Sequence, residues 1–327
     1  MAEQAVKYTI AVPVFNEIDS LPELHRRITA VMDELGEPWE LILIDDGSTD
    51  GSREWIESQA LEDPHLRPVI FARNFGHQIG VTAGLDFSRG QAVIIMDADL
   101  QDPPEVIPQL VERWQEGYDV VYAIRAEREG ETFFKRFTAA LFYRLINRIT
   151  DVDIPVDTGD FRLMDRAVVE ALSSMREQHR FPRAMVAWVG FKQVGVPYRR
   201  AARFAGETKY PFRKMLRLAL NAITGFSYFP LQIATYLGFF SAGLSILGIP
   251  VVAVLRLVGN QAFFGQASTL IAVLFLGGVQ LISLGILGEY IGRIYDEAKG
   301  RPLYIVRDAQ HEKGRTKSEN EGEQKSS

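Results

Sequence analysis

Two stretches of this chain carry no charge. Positions 218–255, between Arg217 and Arg256, and positions 257–288, between Arg256 and Glu289, contain no Asp, Glu, Lys or Arg. About 20 apolar residues cover the ~30 Å hydrocarbon core of a bilayer, so each stretch is long enough to cross one. Spans are expected at Leu231–Leu255 and Ser268–Gly288. The linker Arg256–Gln266 is short, which makes the pair an antiparallel hairpin. Gly277, Gly278, Gly285 and Gly288 would let helix backbones approach closely in lipid. The competing reading is a pair of buried core helices, but uncharged runs of this length are rare in soluble cores.

The flanks orient the hairpin. Arg199, Arg200, Arg203, Lys209, Arg213, Lys214 and Arg217 precede it, and Arg293, Lys299 and Arg301 follow it, against Arg256 alone in the linker. The positive-inside rule places both the N-terminal region and the C-terminal tail in the cytoplasm, with the hairpin in the cell membrane. Met1-Ala2-Glu3-Gln4 lacks the basic-then-apolar pattern of a signal peptide. With 36 Lys+Arg against 42 Asp+Glu, the net charge of −6 argues against nucleic acid as a partner. The absence of cysteine excludes disulfides, thiolate zinc sites and a cysteine nucleophile.

The first 125 residues alternate between strand and helix patterns. Strands are expected at Tyr8–Val14, Glu40–Ile44, Arg67–Phe71, Ala92–Met96 and Asp119–Ile124. Between them, Ser20-Leu21-Pro22-Glu23 reads as a capping box opening a helix to Leu35, with further helices from Ser52 and over Gln78–Ser88. Asp102-Pro103-Pro104-Glu105 reads as the cap of the next helix, with proline at its first position. Such alternation predicts an α/β fold, a mostly parallel sheet with helices on both faces and a ligand beyond the carboxyl ends of the strands. Three of those ends carry acids: Glu17 after the first strand, Asp45-Asp46 after the second, Asp97-Ala98-Asp99 after the fourth. Carboxylates gathered at one mouth repel unless a cation offsets them, and a hard divalent ion bridging phosphate oxygens would do so. Neither a Gly-x-Gly-x-x-Gly nor a P-loop is present, so a diphosphate here would be met by metal and by Arg or Lys. In an extended segment Asp97 and Asp99 would point the same way.

Three motifs in this order resemble a known family: Val12-Pro13-Val14-Phe15-Asn16-Glu17, Asp45-Asp46-Gly47-Ser48-Thr49-Asp50 and Asp97-Ala98-Asp99-Leu100-Gln101-Asp102-Pro103-Pro104. They resemble inverting family-2 glycosyltransferases of GT-A fold. More narrowly they resemble the polyprenyl-phosphate glycosyltransferases, the group containing dolichol-phosphate mannose synthase and bacterial GtrB-type undecaprenyl-phosphate glucosyltransferases. The resemblance spans about residues 7–305. It implies that Asp97 and Asp99 hold Mg²⁺ or Mn²⁺ on the nucleotide diphosphate, and that Asp46, Pro13, Phe15 and Glu17 line the nucleotide-sugar site, although Phe15 could equally be core and Asp46 a turn residue. Asp102 is read chiefly as a helix cap. Arg73, in Arg73-Asn74-Phe75-Gly76-His77, faces a phosphate or pairs with a surface acid, and His77 reads as a helix-start residue.

In the run Asp157-Thr158-Gly159-Asp160-Phe161-Arg162, Asp157 is the catalytic candidate, as base or as orienter of sugar or acceptor. A phosphate monoester is mostly dianionic at neutral pH and needs little deprotonation to attack. Arg200, Arg203, Thr208 and Lys209 resemble the family's Arg-x-x-Gly-x-Ser-Lys-Tyr loop, with Thr in place of Ser, and suit phosphate-bearing substrates. Phe133, Phe134, Phe137, Leu141 and Leu145 recur at helical spacing among basic residues, as in an interfacial helix or an amphipathic core helix, and 211–228 could form another. The resulting expectation is a GT-A domain over 1–210, a juxtamembrane helix over 211–229, two membrane helices over 230–292 and a tail over 293–327 with a short strand at Leu303–Val306 and a disordered end. The implied reaction moves a hexose, glucose from UDP-glucose by nearest resemblance, onto undecaprenyl phosphate with inversion. A processive polysaccharide synthase lacks its Gln-x-x-Arg-Trp motif here. A non-catalytic nucleotide-sugar sensor or lipid-sugar translocation helper would not need the intact acidic strand ends. The free faces of a two-helix anchor allow a homo-oligomer.

Overall fold

The computed structural model describes residues 5–125, 158–199, 227–258 and 266–309. Asp157, Arg200, Arg203, Thr208 and Lys209, both expected interfacial helices and the polar tail fall outside the described residues. The chain divides into two compact units: one contains the described residues 5–125, 158–199 and 302–309, the other 227–258 and 266–301.

The first unit is built on an eight-stranded sheet. Its strands are β1 (Tyr8–Val14), β2 (Trp39–Asp45), β3 (Leu66–Phe71), β4 (Ala92–Ile95), β5 (Val120–Arg125), β6 (Thr158–Asp165), β7 (Gln193–Tyr198) and β8 (Val306–Ala309). Spatial order is β7-β5-β6-β4-β1-β2-β3-β8. β1 pairs in parallel with β2 and β4, and β2 with β3, so their carboxyl ends share one edge. Two strands break the parallel pattern. β6 runs antiparallel between β4 and β5, and β8 runs antiparallel along β3. The expected strand near Leu303–Val306 is therefore present, shifted to Val306–Ala309, and it covers the sheet edge that β3 would otherwise expose. Just before it, Tyr304 stacks on Phe71 at 5.2 Å and donates a hydrogen bond to Asp86 at 2.7 Å.

Helices cover both faces. They are α1 (Leu21–Leu35), α2 (Ser52–Glu62), α3 (His77–Phe87), α4 (Ile107–Gln115), α5 (Arg166–Ser174) and α6 (Pro182–Trp188), with a 3-10 turn at Pro104–Val106 leading into α4. Every residue of β1 and β2 is buried, as the near-continuous apolar runs of central parallel strands require. Ile10, Val12 and Val14 join the core with Leu24 and Ile28 of α1 and Leu110 of α4. The opposite face of β1 meets α3 through glycine. A Cβ on Gly84 would sit 2.8 Å from Ala11 Cβ, and one on Gly80 2.9 Å from Pro13 Cβ. Ser20 holds the N-cap position of α1 as expected, but the capping box does not form: its hydroxyl turns back to Glu17, and Glu23 pairs with Arg26.

The second unit consists of α7 (Phe229–Leu257) and α8 (Gln266–Ala298). Both are long and apolar enough to cross a membrane, over Phe229–Val251 and Ile271–Ala298. Their apolar side chains are exposed rather than packed into a core: Phe239 is 73% exposed and Leu281 71%. The core-helix alternative fails on that ground. α8 outruns the expected span, continuing through Glu289, Arg293 and Asp296 as a polar turn-by-turn extension. Gly277, Gly278, Gly285 and Gly288 do not mark a close helix crossing among the described residues, since a Cβ on any of them would meet nothing within 4 Å.

Gly84→Val is expected to force α3 off β1 and to destabilise the first unit by about 1–3 kcal/mol, the usual cost of overpacking. Thermal unfolding of the detergent-solubilised variant against wild type measures it, with Gly277→Ala as a substitution expected to change little.

Candidate active site

Four strand ends build one mouth. Val14 pairs with Asp45 and Ala11 with Ile95, so the loops after β1, β2 and β4 emerge side by side. β6, running the other way, begins at this edge: its Arg162 pairs with Ile95, which brings Asp160 to the same place.

The loops after β1 and β2 are stitched together by side-chain acceptors. The backbone N–H groups of Asn16, Glu17 and Ile18 donate to Ser48 Oγ, Ser52 Oγ and Asp50 Oδ2 at 3.0–3.1 Å. In return Asn16 Oδ1, on a residue with φ of 58°, accepts from Thr49 N at 2.8 Å. Phe15 projects from this rim, 48% exposed, so its core alternative is excluded. Pro13 lies buried beneath α3 against Gly80, below the mouth.

Asp45 and Asp46 serve the frame. Asp45 accepts from Ser48 N at 3.0 Å and pairs with Arg53 at 3.1 Å. Asp46 accepts from the backbone N–H groups of Phe75 at 2.6 Å and Gly76 at 2.9 Å, tying the end of β2 to the loop after β3. The approach needs Gly47: at φ of 76°, a Cβ there would lie 2.7 Å from Asn74 N. Burial pushes the Asp46 carboxyl above its usual range, and the two N–H bonds pull against that. Arg73 lies over the Phe75 ring, 4.1 Å from its centroid, and donates to Asn74 O at 3.0 Å.

The acidic loop after β4 is a turn, not the extended segment expected. β4 stops at Ile95, and Ala98-Asp99 turn the chain with Leu100 at φ of 60°. Asp99 Oδ1 accepts from Gln101 N at 3.1 Å. Asp102 is fully buried and does not cap the following turn: Pro103 takes the cap position with no side-chain bond, while Asp102 accepts from the Tyr198 hydroxyl.

At the centre, His77, Asp97 and Asp160 each offer a ligand atom within 4.8 Å of the others. His77 Nε2 lies 3.1 Å from Asp160 Oδ2 and 3.5 Å from Asp97 Oδ1. Arg183 Nε holds the other oxygen of Asp160 at 2.7 Å. Asp97 Oδ1 is buried and has no hydrogen-bond partner. Burial raises the Asp97 carboxyl to about 6; His77 opposes the shift, and Asp160, Asp102 and Asp99 reinforce it. Burial also opposes the charge of Asp160, but Arg183 and His77 outweigh it and hold that carboxyl well below its usual range. For His77 burial again favours the neutral ring, yet the Asp160 bond and the charge of Asp97 win and raise it to about 9. Burial lowers the neighbouring Arg162 to about 10.

His77 does start α3, as its sequence position indicates, but it also bridges two carboxylates. Asp160 lies inside the acidic run Asp157–Arg162 and joins the site beside the expected Asp97. The signal that could have found it is its spacing: Asp160 and Arg162 alternate around an apolar Phe161, as on one face of a strand.

The His77 pKa lies above the unfolded value of 6.5, so its contribution to stability is complete below pH ~6.5 and is lost as pH rises through about 9. Solvent screening tempers the effect, because the side chain remains 43% exposed. Metal-free wild type is expected to lose thermal stability between pH 7 and 9.5 more steeply than His77→Gln; parallel melting curves across pH check this.

Comparison with known proteins fits this architecture. The family model described as "Glycosyl transferase family 2" matches residues 9–173, which span β1 through most of α5. The chain is 50% identical to the uncharacterized glycosyltransferase YkcC of Bacillus subtilis (strain 168) over 92% of this chain and 93% of that protein. It is 44% identical to the SfII prophage-derived bactoprenol glucosyl transferase of Shigella flexneri, over 92% of this chain and 98% of that one. A prophage bactoprenol glucosyl transferase homolog of Escherichia coli (strain K12) matches at 44%, over 92% and 99%. With the mixed sheet, the acidic mouth and these matches in place, the chain belongs to glycosyl transferase family 2 and has its GT-A fold.

Proposed function

We propose that this chain transfers glucose from a nucleoside diphosphate sugar, UDP-glucose, to a polyprenyl phosphate with inversion. The observation that carries the reading is the match to a bactoprenol glucosyl transferase over 92% of this chain and 98% of that protein, because it includes both apolar helices as well as the catalytic sheet. A water-soluble donor and a lipid acceptor meet only at an interface, which accounts for both parts in one chain. In this reading 1–210 with 302–309 is the catalytic domain, 211–229 lies along the membrane, and the helices within 230–292 cross it twice. The basic flanks support a cytoplasmic side for the catalytic domain and the tail.

The reaction forms a bond between a lipid phosphate oxygen and the anomeric carbon as the bond from that carbon to the diphosphate breaks. The acceptor phosphate is already mostly dianionic, so the protein's work is chiefly positioning and electrostatic stabilisation. Asp157 orients the sugar or the acceptor or takes a residual proton, and Arg200, Arg203, Thr208 and Lys209 hold phosphate. Asp46 and the rim at Phe15 and Glu17 border the nucleotide, with Pro13 packed beneath.

The donor set fits a hard divalent cation: Asp97 brings a buried carboxylate oxygen with no hydrogen-bond partner, and Asp99 follows in the same turn. Asp97 and Asp99 would hold Mg²⁺ or Mn²⁺, which supplies charge neutralisation for the departing diphosphate. Asp160, clamped by Arg183, and His77 fix the position of Asp97 within this acidic cluster.

Purified protein incubated with undecaprenyl phosphate and a panel of nucleotide sugars is expected to form a lipid-linked glucose, and chelator is expected to abolish it. Asp97→Ala and Asp99→Ala variants that remain folded should lose at least ~100-fold in kcat. Nucleotide-sugar binding without turnover in wild type would instead identify a sensor. Since the Asp97 carboxyl sits at about 6 and must be ionised to bind a cation, the Mn²⁺ concentration for half-activation is expected to rise as pH falls from 7 to 5.5. An activation curve that does not move over that range counts against Asp97 as a ligand.

A further inference from the structure

We infer that Tyr198 and Asp102 form a positioning pair that holds the Asp97–Asp102 turn in the shape a divalent cation requires. The inference rests on the metal reading above and adds to it two residues that act on the cation site through the turn.

The turn cannot hold itself. Leu100 sits in the left-handed region that residues with a Cβ seldom adopt, a conformation that persists only where the surroundings fix it. Those surroundings lie below the mouth. Ala98 and Leu100 are buried in the core beneath Asp97 and Asp99. Asp102, at the far end of the turn, is fully buried, and a carboxylate in that setting needs a donor. Tyr198 provides one: its hydroxyl donates to Asp102 Oδ1.

Tyr198 is itself well placed to hold the turn. It is the last residue of β7, which pairs in parallel with β5 and so ends at the same sheet edge. Its ring is 5% exposed and packs edge-on against Phe161, centroids 6.1 Å apart at 89°. Phe161 lies between Asp160 and Arg162 on β6. One tyrosine thus contacts both the acidic turn after β4 and the strand that supplies Asp160. Removing its hydroxyl leaves the ring contact intact and deprives Asp102 of this donor.

The test uses full-length protein in detergent and reads Mn²⁺ binding by electron paramagnetic resonance, alone and with UDP. Wild type should bind Mn²⁺. Tyr198→Phe should bind it about tenfold more weakly and lose kcat, with its circular dichroism and thermal midpoint near wild type. Asp102→Asn, whose amide oxygen still accepts from Tyr198, should stay within about threefold of wild type, whereas Asp102→Ala should be at least as weak as Tyr198→Phe. The double variant Tyr198→Phe/Asp102→Ala should be weaker than wild type by less than the product of the two single effects, as coupling through the shared bond requires. Unchanged Mn²⁺ binding in Tyr198→Phe overturns the pair while leaving the metal reading standing. Loss in Asp102→Asn equal to that in Asp102→Ala overturns it too, in favour of Asp102 as a direct ligand, and this comparison decides the matter should Tyr198→Phe not fold. A wild type that binds no Mn²⁺ overturns the metal reading itself, and the pair with it.

Discussion

Negative charge crowded at one sheet edge is the constraint from which the rest of the site follows. Asp45, Asp46, Asp97, Asp99, Asp102 and Asp160 all arrive at the carboxyl ends of β2 and β4 or at the start of β6. Carboxylates brought so close need compensation, and the protein supplies a different kind for each. Arg53 answers Asp45, backbone N–H groups answer Asp46, a phenol answers Asp102, and Arg183 with His77 answers Asp160. Asp97 keeps a buried oxygen outside any hydrogen bond, its carboxyl raised by burial. The compensation is thus uneven.

Much of the frame was legible in the residue order because the first half of the sheet obeys local rules. β1 is Tyr8–Val14 as read, and α1 and α2 begin where their patterns do. A parallel strand delivers its functional residues after its last apolar residue, so Asp46 and Asp97 announce themselves. β6 is antiparallel and delivers Asp160 from its beginning, ahead of its apolar residues rather than after them. β7 is hard to read for a related reason: its partner is chosen by sheet order, which local pattern does not encode.

Side-chain direction was the other gap. Asp102 and Ser20 both occupy positions where helix caps are common, and neither caps: each carboxylate or hydroxyl finds a stronger or nearer partner in the folded chain. His77 reads as a helix start and is one, yet tertiary contacts give its ring a second role between Asp97 and Asp160. Propensity places the backbone at these residues; the fold decides what their polar atoms meet.

The strand that closes the sheet has a consequence for biosynthesis. Residues 306–309 pair with β3 but are translated only after both apolar helices have been made. Until then the outer rim of β3 exposes unsatisfied amides and carbonyls to the nascent chain's surroundings. Completion of the catalytic sheet is therefore timed by the ribosome's passage through the hydrophobic segments, so the globular part acquires its last strand only once the greasy part has left the exit tunnel.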